Sequence, residues 1–210
     1  MIKAIIFDFG SVIYKTDWES IIKEFKEKFN VSIHLADGAD EELLRIYRES
    51  DIGKEDFKRF FHRPGLSDTT EALTYYKKLY FKHKILNKEM IQIIKKLKKK
   101  YLLFGFTDIK RDHYESNLEG GLYKDFKKIF TSFELGMLKA DGIAFDIISK
   151  ELSNYNLKTE ECLFIDDHFP NIENARKRGF KTIHYADFPN MENFIIELKS
   201  TLQLKNFNNL

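Results

Sequence analysis

The chain has little to crosslink it and little to hold it to a charged or apolar surface. One of its 210 residues is cysteine, so no internal disulfide can form. That residue, Cys162, stands beside Leu163 and Phe164 and reads as a small buried thiol rather than a nucleophile. Charge of one sign is not in excess: 35 basic and 33 acidic residues leave a formal charge of +2. That balance gives no field for nucleic acid or an anionic membrane, so neither is an expected partner. The densest basic cluster, Lys95 to Lys100, falls at the end of a predicted helix, where it complements the dipole. No apolar run is long enough to span a bilayer. The N-terminal apolar run is too short for a signal peptide and contains Asp8. A reducing, cytoplasmic compartment is the default expectation. No internal repeat or low-complexity tract stands out.

What is present is organised around Ile5 to Ile13. Ile2, Ile5, Ile6 and Phe7 are β-branched or aromatic, so Lys3 to Phe7 is predicted to be a strand buried on both faces. Burying Asp8 inside that run would be costly. The strand therefore ends there, with Asp8 facing the crevice where open α/β sheets bind ligands. A polar strand end followed by a glycine turn would look the same, so this stretch alone does not decide.

Asp17 is predicted to cap a helix carrying Trp18, Ile21, Ile22, Phe25 and Phe29. Further helices are expected at Asp40 to Glu49, at Lys54 to Phe61 after a break at Gly53, and at Thr69 to Lys82. The aromatic group Phe57, Phe60, Phe61, Tyr75, Tyr76 and Tyr80 reads as the core of this helical segment. Asn87 caps another helix, and from there helix and strand alternate. Strands are expected at Leu102 to Phe106, Ile129 to Ser132, Leu163 to Ile165 and Thr182 to Tyr185. Helices are expected at Arg111 to Leu118, Ile143 to Leu152, Pro170 to Arg178 (closed by Gly179) and Met191 to Leu202. The Asn-rich tail is expected to fray. The alternation implies an α/β fold with a doubly wound parallel sheet. Residues 1–13 and 87–210 would form it, with 14–86 as a small helical insert after the first strand.

Three predicted strands end in polar residues: in Asp8, in Thr107 and in Asp166-Asp167. A parallel sheet brings such ends to one edge. Carboxylates that close raise one another's pKa unless a cation intervenes, and such a cluster suits a hard cation such as Mg²⁺. Lys139 and Thr107 add a positive charge and a hydroxyl, a set able to hold a phosphoryl group. His113 and His168 read as surface histidines.

With these residues in order, the sequence resembles the haloacid dehalogenase superfamily, in its phosphatase branch with a helical cap. Asp8-Phe9-Gly10-Ser11-Val12 resembles the first motif, Thr107 the second and Lys139, within Leu135 to Lys139, the third. Asp166-Asp167-His168-Phe169-Pro170-Asn171 resembles the fourth. The likeness spans nearly the whole chain. It is greatest to sugar-phosphatase-like proteins and the phosphatase domain of soluble epoxide hydrolases, a subgroup that Asp17-Trp18 fits. The resemblance implies a Rossmann-like core, an aspartyl-phosphate on Asp8, and Mg²⁺ held by Asp8, the Gly10 carbonyl and Asp166. It also implies phosphate contacts from Thr107 and Lys139, with Asp167 and Asn171 orienting that shell. Asp108, Asp17 and Trp18 become candidate substrate contacts, although Asp17 reads more simply as a helix cap. The implied partner is a small phosphorylated metabolite, a sugar phosphate or nucleotide-like monoester, bound by a monomer or homodimer.

The chain departs from the pattern at Gly10, where most such phosphatases carry a second aspartate that protonates the leaving group. General acid–base help of that kind is typically worth about 10²–10⁴-fold. Asp17, Asp108 and His168 are possible stand-ins. Glycine occurs there in apparently active relatives, so inactivity does not follow. Ala140 stands where proline is common and Asp108 where asparagine is frequent. Two alternatives stay open. One is a non-catalytic or weakly active phospho-ligand binder, which Gly10 and Asp108 allow. The other is a metal-free haloacid dehalogenase, against which Asp166-Asp167 argues.

Overall fold

The computed structural model describes residues 1–35, 40–188 and 190–204. In chain order its regular elements are β1 (Ala4–Phe7), β2 (Tyr14–Thr16), α1 (Trp18–Phe29), α2 (Glu41–Glu49), α3 (Thr69–Lys82), β3 (Lys84–Leu86) and α4 (Lys88–Leu97). They continue with β4 (Leu102–Thr107), α5 (Arg111–Glu119), β5 (Lys128–Thr131), α6 (Ser132–Leu135), α7 (Ile143–Ser153), β6 (Cys162–Asp166), α8 (Phe169–Lys177), β7 (Lys181–His184) and α9 (Met191–Leu202).

β1 is the middle of a five-stranded parallel sheet in the order β5-β4-β1-β6-β7. Its four residues are all buried because both faces are covered. Ile5 and Phe7 belong to an apolar layer with Met90, Ile94 and Leu97 of α4 and Phe194 and Leu198 of α9. Ala4 and Ile6 belong to the opposite layer, with Phe145, Ile148 and Leu152 of α7 and Ile172 of α8. Such double coverage turns parallel strands into continuous apolar runs. The chain therefore has the expected doubly wound α/β fold, and β1 is the point where strand order reverses, the usual place for a ligand crevice.

Between β1 and α4 the helices pack on an apolar cluster of their own, built from Ile21, Phe25, Phe57, Phe60, Phe61, Tyr76, Leu79 and Tyr80. Caps sit where the sequence places them: Asp17, Asp40, Asp68 and Asn87 each accept a backbone N–H of the helix that follows. Two details differ from the sequence expectation. The helix expected at Lys54 to Phe61 is a short 3-10 turn over Phe57–Phe61, begun by an Asp56 cap. Its three phenylalanines still all reach one cluster. An antiparallel ribbon pairs β2 with β3 at the base of the helical segment, unforeseen because each strand is three residues long. Cys162 is buried, as expected. The expected fraying of the Asn-rich tail concerns residues 205–210, outside the described residues.

Gly105 of β4 has no room for a side chain. A Cβ there would overlap the Phe9 ring and come 2.8 Å from Ile129 Cδ1. The ring of Phe9 is itself held edge-on against Tyr123, 4.9 Å away. Gly105→Ala is therefore expected to cost about 1–3 kcal/mol by overpacking. Urea denaturation measures this, and a loss below about 0.5 kcal/mol would show that Phe9 yields freely.

Candidate active site

Register places the charged groups. Phe7 pairs with Ile165 on one side and Gly105 on the other, so the next residues along the two edges are Asp8 and Asp166. Thr107 ends β4 two positions beyond Gly105. Asp8, Thr107 and Asp166 thus arrive together at the carboxyl edge, all buried. Asp167 follows, half-buried, and one carboxylate oxygen from each of Asp8, Asp166 and Asp167 lies within 4.8 Å of the others.

Lys139 enters from the turn before α7. Its Nζ donates to Asp8 Oδ1 at 2.6 Å and to Asp166 Oδ2 at 2.7 Å, with its side chain only 3% exposed. Burial alone would lower the ammonium pKa, but Asp8, Asp166 and Asp108 outweigh it and hold Lys139 firmly charged. Burial pushes the Asp8 carboxyl up to about 7, with Lys139 pulling it down and Asp166 and Asp167 adding to the rise. Asn171, on the first turn of α8, donates Nδ2 to both Asp166 oxygens at 3.2 and 3.1 Å. The His168 backbone N–H donates to Asp166 Oδ1 at 2.7 Å. Asn171 Oδ1 is buried with no partner among the described residues.

These groups floor a cavity of about 590 Å³, within the usual range for small-ligand sites. Gly10, Ser11 and Asp108 line it with the acidic cluster, and Trp18, Tyr47, Asp51 and Tyr80 line it from the helical segment. Asp108 accepts the Lys139 backbone N–H at 3.1 Å, and burial raises its pKa. Trp18 is 41% exposed beside Tyr80. Asp17 does not line the cavity: its two oxygens take the Ser20 N–H and hydroxyl, as a helix cap does. The Gly10 carbonyl accepts the Val12 N–H at 2.6 Å and keeps a second lone pair. A Cβ at position 10 would meet only Asp8 Oδ2, at 3.8 Å, and φ there is not positive. Space and backbone at Gly10 thus permit a side chain.

The site holds residues that sequence reasoning missed. His113 is buried, not on the surface: it stacks on Tyr80 at 3.8 Å, hydrogen-bonds the Tyr76 hydroxyl through Nε2, and burial keeps it neutral. Lys110 is 3% exposed at its side chain and pairs with Asp51 at 2.5 Å. A signal for Lys110 existed. It is the N-cap residue of α5, where a cation opposes the helix dipole and caps nothing, so the position is held for another purpose. Asp51 carries no such mark.

Over residues 2–179 the sequence matches the haloacid dehalogenase-like hydrolases. The chain belongs to that family. It is similar to a D-ribitol-5-phosphate phosphatase of Bacteroides thetaiotaomicron, 28% identical over 202 residues, covering 87% of this chain and 91% of that protein. Among solved structures it is similar to a HAD family enzyme from Bacteroides thetaiotaomicron in complex with magnesium and inorganic phosphate. The TM-score is 0.70 at 18% identity, covering 92% of this chain and 99% of that one. A predicted HAD-like family hydrolase from Porphyromonas gingivalis gives a TM-score of 0.65 at 23% identity, covering 98% and 100%. At such identities the two structures establish the fold alone. No helix among the described residues is long and apolar enough to cross a membrane.

Removing the cation tests the electrostatics of the cluster. Lys139→Met leaves Asp8 and Asp166 buried without their counter-charge, and is expected to cost about 3–5 kcal/mol at pH 8 in metal-free buffer. The folded variant then holds protons that the unfolded chain releases, so its stability rises as pH falls. The deficit relative to wild type should shrink at pH 5, measured by urea denaturation. An equal deficit at both pH values would contradict this account.

Proposed function

We propose that the protein is a Mg²⁺-dependent phosphatase of a small phosphorylated metabolite, acting through an aspartyl-phosphate on Asp8. One observation carries the reading. A carboxylate at the end of the central strand is held by a buried lysine, with two further carboxylates within ligating distance of it. The donor set fits Mg²⁺: hard oxygens from Asp8 and Asp166, the spare lone pair of the Gly10 carbonyl, and Asp167 close by. The unpartnered Asn171 Oδ1 is a further acceptor beside that shell, left for a donor that comes with the ligand. When bound, the cation supplies the charge that lets an anionic nucleophile approach an anionic phosphate.

Asp8 attacks phosphorus as the bond to the leaving alcohol breaks, and water later cleaves the acyl phosphate, freeing inorganic phosphate and restoring Asp8. Lys139 fixes one Asp8 oxygen and carries positive charge toward the transferring group, and the Thr107 hydroxyl donates to it. Asn171 and the His168 N–H hold Asp166 in one orientation. Asp108 and Trp18 face the substrate from the cavity wall. Residues 14–86 serve as the cap, joined to the core through the β2–β3 ribbon. Gly10 has no proton to give, so the leaving alkoxide takes its proton from water.

Phosphate release from an aryl phosphate, with and without Mg²⁺, tests the reading. Release should need the metal and vanish in Asp8→Asn, with the circular dichroism of that variant unchanged. Turnover that survives the substitution would sink the proposal.

The missing proton donor makes its own prediction. Because position 10 has room, Gly10→Asp should fold normally and speed alkyl phosphates, whose leaving groups need protonation. The gain should reach up to about 10²-fold, with aryl phosphates changing far less. Steady-state rates on the two substrate types decide, and an equal effect on both would contradict the role.

A further inference from the structure

We propose that the Asp51–Lys110 pair is the specificity determinant of the cavity, selecting phosphate esters of neutral, hydroxyl-rich carbon chains over those with a second anionic group. This rests on the phosphatase reading above and extends it to the leaving group.

The pair joins the helical segment to the core beside the reacting cluster. Lys110 Nζ donates to Asp51 Oδ1 at 2.5 Å and lies 3.8 Å from the Tyr47 ring centroid. Asp51 is also held through its backbone: its carbonyl accepts the Ser132 hydroxyl at 2.5 Å, while Ser132 Oγ accepts the Ile109 N–H at 2.8 Å. Two residues on, Gly53 has φ +67 and packs so closely on the Phe133 carbonyl that no Cβ fits. The carboxylate is therefore positioned, not loosely tethered.

Only Oδ1 of Asp51 has a protein partner among the described residues, and 30% of its side chain is exposed. The other oxygen is an acceptor offered at the cavity wall, and substrate hydroxyls are its natural donors. Tyr47 and Trp18 line the same cavity with aromatic surface against which C–H groups can pack.

Charge supplies the discrimination. Five carboxylates line the cavity, from Asp8, Asp51, Asp108, Asp166 and Asp167, against three lysines, Lys15, Lys110 and Lys139. Lys139 is committed to Asp8 and Asp166, and Lys110 to Asp51. His113 is held neutral by burial. Among the described residues that line the cavity, Lys15 is the remaining lysine, exposed to solvent on the ribbon. A second phosphate or carboxylate on the substrate would meet Asp51 and Asp108 with no buried cation to receive it, a penalty aimed at the wrong ligand.

Equilibrium binding to the Asp8→Asn protein in Mg²⁺ reads this without turnover. The probes are inorganic phosphate, alditol and sugar monophosphates of three to six carbons, and the corresponding bisphosphates. At least one monophosphate should bind about 30-fold tighter than inorganic phosphate and tighter than its bisphosphate. Adding Asp51→Asn and Lys110→Met together, which removes the pair without stranding a buried charge, should cut that advantage at least tenfold. Asp51→Asn alone, which keeps a partner for Lys110, should cut it partly, and Asp51→Glu should restore some of it. An advantage that survives both variants, or bisphosphates preferred in the parent, overturns the proposal while leaving the phosphatase reading intact. No binding of any phosphate by folded, Mg²⁺-supplied protein overturns the phosphatase reading and this one with it.

Discussion

The Lys139 ammonium is the constraint on which the rest depends. Two neighbouring strands end in the buried carboxylates of Asp8 and Asp166, and one lysine contacts both. Such an arrangement contributes little net stability, since desolvating three charges offsets most of their attraction. It contributes geometry instead. The energy that holds the strands comes from the apolar layers on either face of β1, where Phe7, Phe104, Phe164 and Phe145 are fully buried. The sheet is rigid enough to hold the charges close, and Lys139 lets the sheet end in them.

How far the site can be read from the sequence follows from the same division. Strand ends are legible because an apolar run broken by a carboxylate has one economical interpretation, and a parallel sheet sends all such ends to one edge. Asp8, Thr107 and Asp166 could therefore be named, with Lys139 added from a loop before a helix, and the structure brings all four into one cavity with Gly10, Asp167 and Asn171. Helix caps are legible because Asp or Asn before an amphipathic run has a local purpose. That local rule already favoured the capping role of Asp17, and Ser20 takes both of its oxygens. What stays hidden are contacts made between distant residues. Asp51 and Lys110 are 59 positions apart, and Tyr76 and His113 are 37 apart. Nothing in the local pattern of Ser50-Asp51-Ile52 marks it as a cavity wall. The ribbon of β2 and β3 is hidden for a similar reason, because three-residue strands carry no period to detect.

Position 10 separates steric from chemical explanation. A glycine near a nucleophile is often required because the backbone must approach closely or adopt positive φ. Neither holds here: a Cβ would meet only Asp8 Oδ2, at ordinary contact distance. The unusual backbone belongs to the next residue, Ser11, at φ 56. Packing and backbone therefore do not require glycine at position 10. Of the possible stand-ins for the missing proton donor, Asp17 caps a helix away from the cavity and Asp108 accepts the Lys139 backbone N–H, while His168 lines the cavity.

The boundary between the helical segment and the core has a character that suits the proposed cap. Inside the segment the contacts are aromatic and dry, with Phe57, Phe60 and Phe61 packed against one another. Much of what crosses to the core is polar: Asp51 with Lys110, the Asp51 carbonyl with Ser132, Lys77 with Glu115, and the Tyr76 hydroxyl with His113. Apolar cores resist opening in proportion to the area they expose. Hydrogen bonds can be exchanged for water at a net cost of about 1 kcal/mol each. A segment with a dry interior and polar attachments can move as a unit without losing its own structure. On opening, Lys110 would also lose its counter-charge. Under the proposed function, a substrate that closed the segment would restore that pair, and recognition of the leaving group and exclusion of water from Asp8 would become one event.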